Sequence, residues 1–96
     1  MARLEWSQQA VNALDRLIET QSLPPDTRAR VKRSIDPLAQ FPLMGPALQR
    51  GDQEIRFLIG PWRWLIVVYG SFADDNRVVI VSVEDGRSAS AVTARR

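Results

Sequence analysis

Four arginines attached to strand-like sequence carry the chemistry that this chain's residue types allow: Arg56, Arg63, Arg77 and Arg87. A guanidinium presents a fixed fork of donors that matches phosphate and carboxylate oxygens. Set on a sheet, such groups can hold a phosphodiester and the charge that develops when a ribose hydroxyl attacks it. That reaction also needs a base for the 2′-hydroxyl and an acid for the leaving oxygen. The chain has no histidine and one tyrosine, so the candidates are Glu84, Asp85 and Tyr69. The alternative for Arg56 and Arg63 is a cross-strand ion pair with Glu54 or another carboxylate. If the site is catalytic, Arg56, Arg63 and Arg87 are the residues expected to carry it.

The absence of cysteine and histidine removes disulfides, thiol chemistry, a classical zinc site and a histidine-based triad. No phosphate loop, dinucleotide fingerprint, calcium loop or nucleophile elbow is present. No cofactor or metal is therefore expected. Thirteen basic residues, twelve of them arginine and the other Lys32, oppose eleven acidic ones, a net charge of +2 that permits nucleic acid without requiring it. At 96 residues with 45% hydrophobic content, the expectation is a single domain over 1–96 with one modest core. The apolar run Trp64 to Tyr69 is far shorter than the roughly 20 residues that span a bilayer. The N-terminus lacks the apolar stretch of a signal peptide, so a cytoplasmic protein with no membrane partner is the expectation.

The elements that position the arginines centre on Glu54 to Val83. Ile55, Phe57 and Ile59 alternate with Glu54 and Arg56, and Gly60-Pro61 breaks the run. Trp62, Trp64, Ile66 and Val68 alternate with Arg63, Leu65, Val67 and Tyr69, and Val78 to Val83 resume the pattern after a turn-rich segment. This predicts a three-stranded antiparallel meander, because the connections are too short for the crossover that parallel neighbours need. Arg3 to Trp6 predicts a further strand of the same sheet. Ser7 is a candidate N-cap for an amphipathic helix from Gln8 to Gln21, with Ala10, Val11, Leu14, Leu17 and Ile18 on its apolar side. Pro24-Pro25 separates it from a second, basic helix that Pro37 ends. Leu43, Met44 and Leu48 of the following connector are expected to pack under the sheet edge. The small-residue tail from Ala89 to Ala94 is expected to fray.

On strand parity, Trp62, Trp64, Ile66 and Val68 face the helical hairpin. Leu65, Val67 and Tyr69 then line the opposite, uncovered face and, with Arg56 and Arg63, are the expected partner-binding surface. The fold expected is α+β, in the order strand-helix-helix-strand-strand-strand, with a small twisted antiparallel sheet on an N-terminal helical hairpin.

That order resembles the RelE/ParE superfamily of type II toxin-antitoxin toxins. The resemblance rests on Trp6, the helix with Ala10, Leu14, Leu17 and Ile18, and the Pro42-Leu43-Met44-Gly45 connector. It continues through Arg56, Trp62-Arg63-Trp64 with the run to Tyr69, and Val79 to Val83 leading into Asp85-Gly86-Arg87. It implies a growth inhibitor neutralised by a cognate antitoxin that wraps across helices and sheet, the protein forming a homodimer or a toxin-antitoxin hetero-oligomer. RelE-like members cut mRNA on the ribosome without a metal, and ParE-like members poison DNA gyrase. In the ribonuclease branch the basic strand residues correspond to Arg56 and Arg63. The Tyr or His common there near the C-terminus has no counterpart in Glu84 to Ser88, which favours the ParE-like, non-enzymatic branch. An antitoxin-binding module without toxicity is the third alternative.

Overall fold

The computed structural model describes residues 1–50 and 53–87, and the side chains of these except 49, 50, 53 and 54. Strand β1 (Arg3–Trp6) leads into helix α1 (Gln8–Thr20), then α2 (Thr27–Ile35) and a 3-10 turn over Asp36–Ala39. Strands β2 (Ala47–Arg50), β3 (Gln53–Ile59), β4 (Leu65–Phe72) and β5 (Arg77–Asp85) follow. Ser7 caps α1 as its residue type predicts, accepting from the Ala10 amide at 3.0 Å. Its hydroxyl also donates to the Val81 carbonyl at 3.1 Å, so the cap fastens the helix to β5. Past Pro24-Pro25, the buried Thr27 hydroxyl donates to the Pro24 carbonyl at 2.7 Å and holds the start of α2. Pro37 ends α2 as expected, and the 3-10 turn that follows buries Leu38.

The sheet has five strands in the order β1-β5-β4-β3-β2. Two features differ from the expected antiparallel four-stranded sheet. β1 pairs parallel with β5, Leu4 opposite Val78 and Trp6 opposite Ile80, because most of the chain lies between them and can make the return. β2 is an added edge strand, antiparallel to β3, in a stretch without the β-branched and aromatic residues that mark a strand.

The faces of β4 are inverted relative to the expectation. Leu65, Val67 and Tyr69 are fully buried and pack with Ala10 and Leu14 of α1 and Val31 and Ile35 of α2. Burying each large side chain of this kind stabilises by about 1.5–3 kcal/mol. The cause lies before the strand. Pro61 to Trp64 form a turn closed by Gly60 N–H to Leu65 O at 2.8 Å and Leu65 N–H to Trp62 O at 3.0 Å. The tryptophans therefore escape strand parity and reach the helix side, half-buried against the core, while the strand that starts at Leu65 keeps the helix-facing set on odd positions. The reverse face carries Phe57 opposite Val68 and Ile59 opposite Ile66, with Leu48 opposite Ile55.

The connector also departs from expectation. Phe41, Leu43 and Met44 are 59%, 62% and 51% exposed, so Leu43 and Met44 do not pack under the sheet, whereas Leu48 is half-buried. The expected tail from Ala89 to Ala94 and the carboxylate of Glu54 lie outside the described residues.

Candidate functional site

Arg56 sits on β3 opposite Tyr69 of β4, and both side chains act on the connector. The Arg56 guanidinium donates through Nη1 to the Gly45 carbonyl at 2.8 Å and to the Leu43 carbonyl at 3.3 Å. The buried Tyr69 hydroxyl accepts from the Gly45 amide at 2.9 Å. A β-carbon at Gly45 would meet the Phe57 carbonyl and stand 2.9 Å from the Tyr69 oxygen, so the close approach requires glycine. Burial pushes the Tyr69 phenol above its ordinary pKa, opposed by the Gly45 hydrogen bond and the positive charge of Arg56. A phenol so held is a poor proton shuttle at neutral pH.

A second arrangement lies at the other end of β3. The Trp62 and Trp64 rings stack with centroids 5.8 Å apart and planes 7° from parallel. Arg30 of α2 stands over Trp62 at 5.7 Å, and Arg87, just past β5, over Trp64 at 4.2 Å. The result is a ladder, Arg30–Trp62–Trp64–Arg87, that ties α2, the β3–β4 turn and the end of β5 together. Arg87 is further held by Asp85, at 3.1 Å from Nε and 3.2 Å from Nη2, and by Gln21 at 3.3 Å. These hydrogen bonds from Arg87 hold the Asp85 carboxyl below the usual aspartate pKa, which makes it a weak base. Arg77 is engaged as well, with Glu5 at 3.0 Å, Asp75 at 3.4 Å and the Phe72 ring at 5.0 Å.

The structure thus separates the sequence-predicted residues. Arg56 is four strand residues from Gly60, roughly 13 Å along β3, and faces the connector. Arg63 is exposed on the β3–β4 turn, and Arg87 is committed to the ladder. Of the predicted partner-binding set, Leu65, Val67 and Tyr69 have no exposed surface and are interior residues, while Arg63 remains open to solvent and Arg56 is half-buried. Glu84, opposite Ile66, has an interaction of its own. No group of three or more potential metal ligands occurs among the described residues. Sequence reasoning missed two contributors. Arg30 belongs to the helix that the sequence marks only as basic, although Trp-Arg-Trp in a turn is a signal that cations will find the rings. Gly45 read only as a connector breaker.

The helix-hairpin-on-sheet arrangement can be compared with known proteins. A family described as the ParE toxin of the type II toxin-antitoxin system parDE matches residues 4–89. The chain belongs to the ParE toxin family. Among solved structures, this ParE-family chain is similar to a metal-bound toxin from Helicobacter pylori, at 18% identity and TM-score 0.67, covering 88% of this chain and 94% of that one. It is similar to a chain of the chromosomal ParDE system of P. aeruginosa, at 14% identity and TM-score 0.67, covering 88% and 96%. It also resembles a chain of the intact E. coli RelBE toxin-antitoxin complex, at 16% identity and TM-score 0.66, covering 92% and 100%. These likenesses establish the α+β fold that both branches of the superfamily share. No curated protein matches the chain in sequence. No helix among the described residues is long and apolar enough to cross a membrane.

Proposed function

We propose that this ParE-family toxin inhibits growth by binding a protein target, DNA gyrase, and that it does not cut RNA. The observation that carries this reading is the engagement of the candidate catalytic groups: Arg56 with the Gly45 and Leu43 carbonyls, and Arg87 with Asp85 and Trp64. Cleavage by 2′-hydroxyl attack needs a base and an acid converging on one phosphate. Tyr69 is buried and held neutral, and Asp85 is held ionised by Arg87. The RelE-like ribonuclease is the alternative, and programmed ribosomes with a reporter mRNA distinguish the two. Primer extension is expected to show no new mRNA ends in the presence of the purified protein. Ends inside the A-site codon that vanish with Arg63→Ala would overturn the proposal.

We also infer that a cognate antitoxin neutralises the toxin in the cytoplasm. Two of the similar structures are described as toxin-antitoxin systems or complexes. The reverse face of the sheet offers apolar surface for such a partner, with Ile59 and Phe72 51% and 45% exposed and Phe57 and Ile66 half-buried. On this fold that face replaces Leu65, Val67 and Tyr69 as the apolar part of the docking surface, with Arg63 exposed on the β3–β4 turn at one end, while Arg56, paired with Tyr69, lies on the other face.

A further inference from the structure

We propose that the surface between α2 and the β3–β4 turn, centred on Arg33 and Arg63, receives an acidic segment of a partner protein. Arg33 lines a shallow depression of about 430 Å³ together with Asp26, Arg30, Ser34 and Pro61. Arg63 is exposed two residues beyond Pro61, on the same turn. Within this surface Arg30 already has a carboxylate, Asp26, at 3.0 Å. The side chains of Arg33 and Arg63 have no hydrogen bond, ion pair or ring contact among the described residues. Two guanidinia without such contacts are therefore exposed, Arg33 in a depression whose one acidic lining residue is Asp26 and Arg63 two residues along the chain from its Pro61, an arrangement complementary to a segment carrying several carboxylates.

The ladder beneath selects between anionic partners. Single-stranded nucleic acid is held by stacking its bases on free aromatic faces. Here Trp62 stacks on Trp64 and carries Arg30, and Trp64 also carries Arg87, so each ring already has an aromatic and a cationic partner. What the surface offers is fixed positive charge without a stacking platform, which suits a carboxylate-rich peptide. The ladder also limits the movement of the turn that carries Arg63, so less ordering is needed on binding.

The test uses the full chain and two fluorescein-labelled probes, a decaglutamate peptide and an oligouridylate of the same length, read by anisotropy at low and high salt. The peptide is expected to bind more tightly than the oligonucleotide, with an affinity that falls as salt rises. Arg33→Glu/Arg63→Glu should weaken it at least about tenfold, whereas Arg3→Glu/Arg16→Glu, which changes net charge equally on β1 and α1, should leave it within about twofold. Circular dichroism should show both variants folded, since all four residues are exposed. Absence of peptide binding, equal loss in the control variant, or tighter binding of the oligonucleotide through the same two arginines would each overturn the proposal. None of these outcomes depends on whether the protein inhibits gyrase.

Discussion

Replacing Tyr69 by Phe removes one oxygen from the interior and tests how the connector is held. The Tyr69 hydroxyl is the acceptor for the Gly45 amide at 2.9 Å in a site with no exposed phenol surface. Phe fills nearly the same volume, so packing against Val67 and the helices is retained and the change isolates the hydrogen bond. A buried amide left without an acceptor costs about 1–3 kcal/mol. For a domain of this size each kcal/mol lowers the melting temperature by roughly 4–8 °C, so a fall of about 10 °C is expected. Thermal unfolding followed by circular dichroism measures it. Hydrogen exchange at the Gly45 amide should rise in parallel, because Arg56 still holds the Gly45 carbonyl but nothing holds its N–H. A Tyr69→Phe protein that melts within about 1 °C of the parent would refute the reasoning, and would instead suit a tyrosine on an open docking face.

Trp64→Ala removes the ring between Trp62 and Arg87 and should destabilise by about 3 kcal/mol in urea unfolding, through lost packing and lost cation–π contact. Tyr69 is the chain's one tyrosine, so the near-ultraviolet tyrosinate band reports it alone. Its pKa is raised in the fold, so its contribution is complete below the ordinary value of 10.0 and lost as pH rises through the folded value; the band should appear late, together with unfolding. Asp85 has the opposite sign, its pairing with Arg87 contributing above the ordinary value of 3.8 and fading as pH falls below it; Asp85→Asn should flatten that acid limb. Ile59→Asp, at a residue half exposed on the reverse face, should leave the melting temperature nearly unchanged and reduce co-purification with the antitoxin at least about tenfold; unchanged co-purification would remove that face from the docking surface.

Much of the architecture was legible from local chemistry. Ser7 before an i, i+4 apolar stripe marks a capped helix, Pro24-Pro25 and Pro37 bound the second helix, and the β-branched run from Val78 marks a strand. Strand parity was less reliable because it depends on where a strand begins. Counting from Trp62 put Leu65, Val67 and Tyr69 on the wrong side, and the hydrogen bonds that make Pro61 to Trp64 a turn involve backbone atoms that carry no sequence label. β2 escaped for a related reason, since an edge strand is set by its partner β3 more than by its own residue types. The site was legible as residue types, not as an assembly. That Arg56 serves the connector while Arg30 and Arg87 serve the tryptophans follows from tertiary contacts that no spacing rule contains.

The central claim, a toxin that acts by protein binding on gyrase, is tested most directly by supercoiling of relaxed plasmid by purified gyrase with the toxin titrated in. The account predicts dose-dependent loss of supercoiled product, relieved when the antitoxin is added. Full supercoiling at every toxin concentration, in a preparation that still arrests growth on expression, would contradict it.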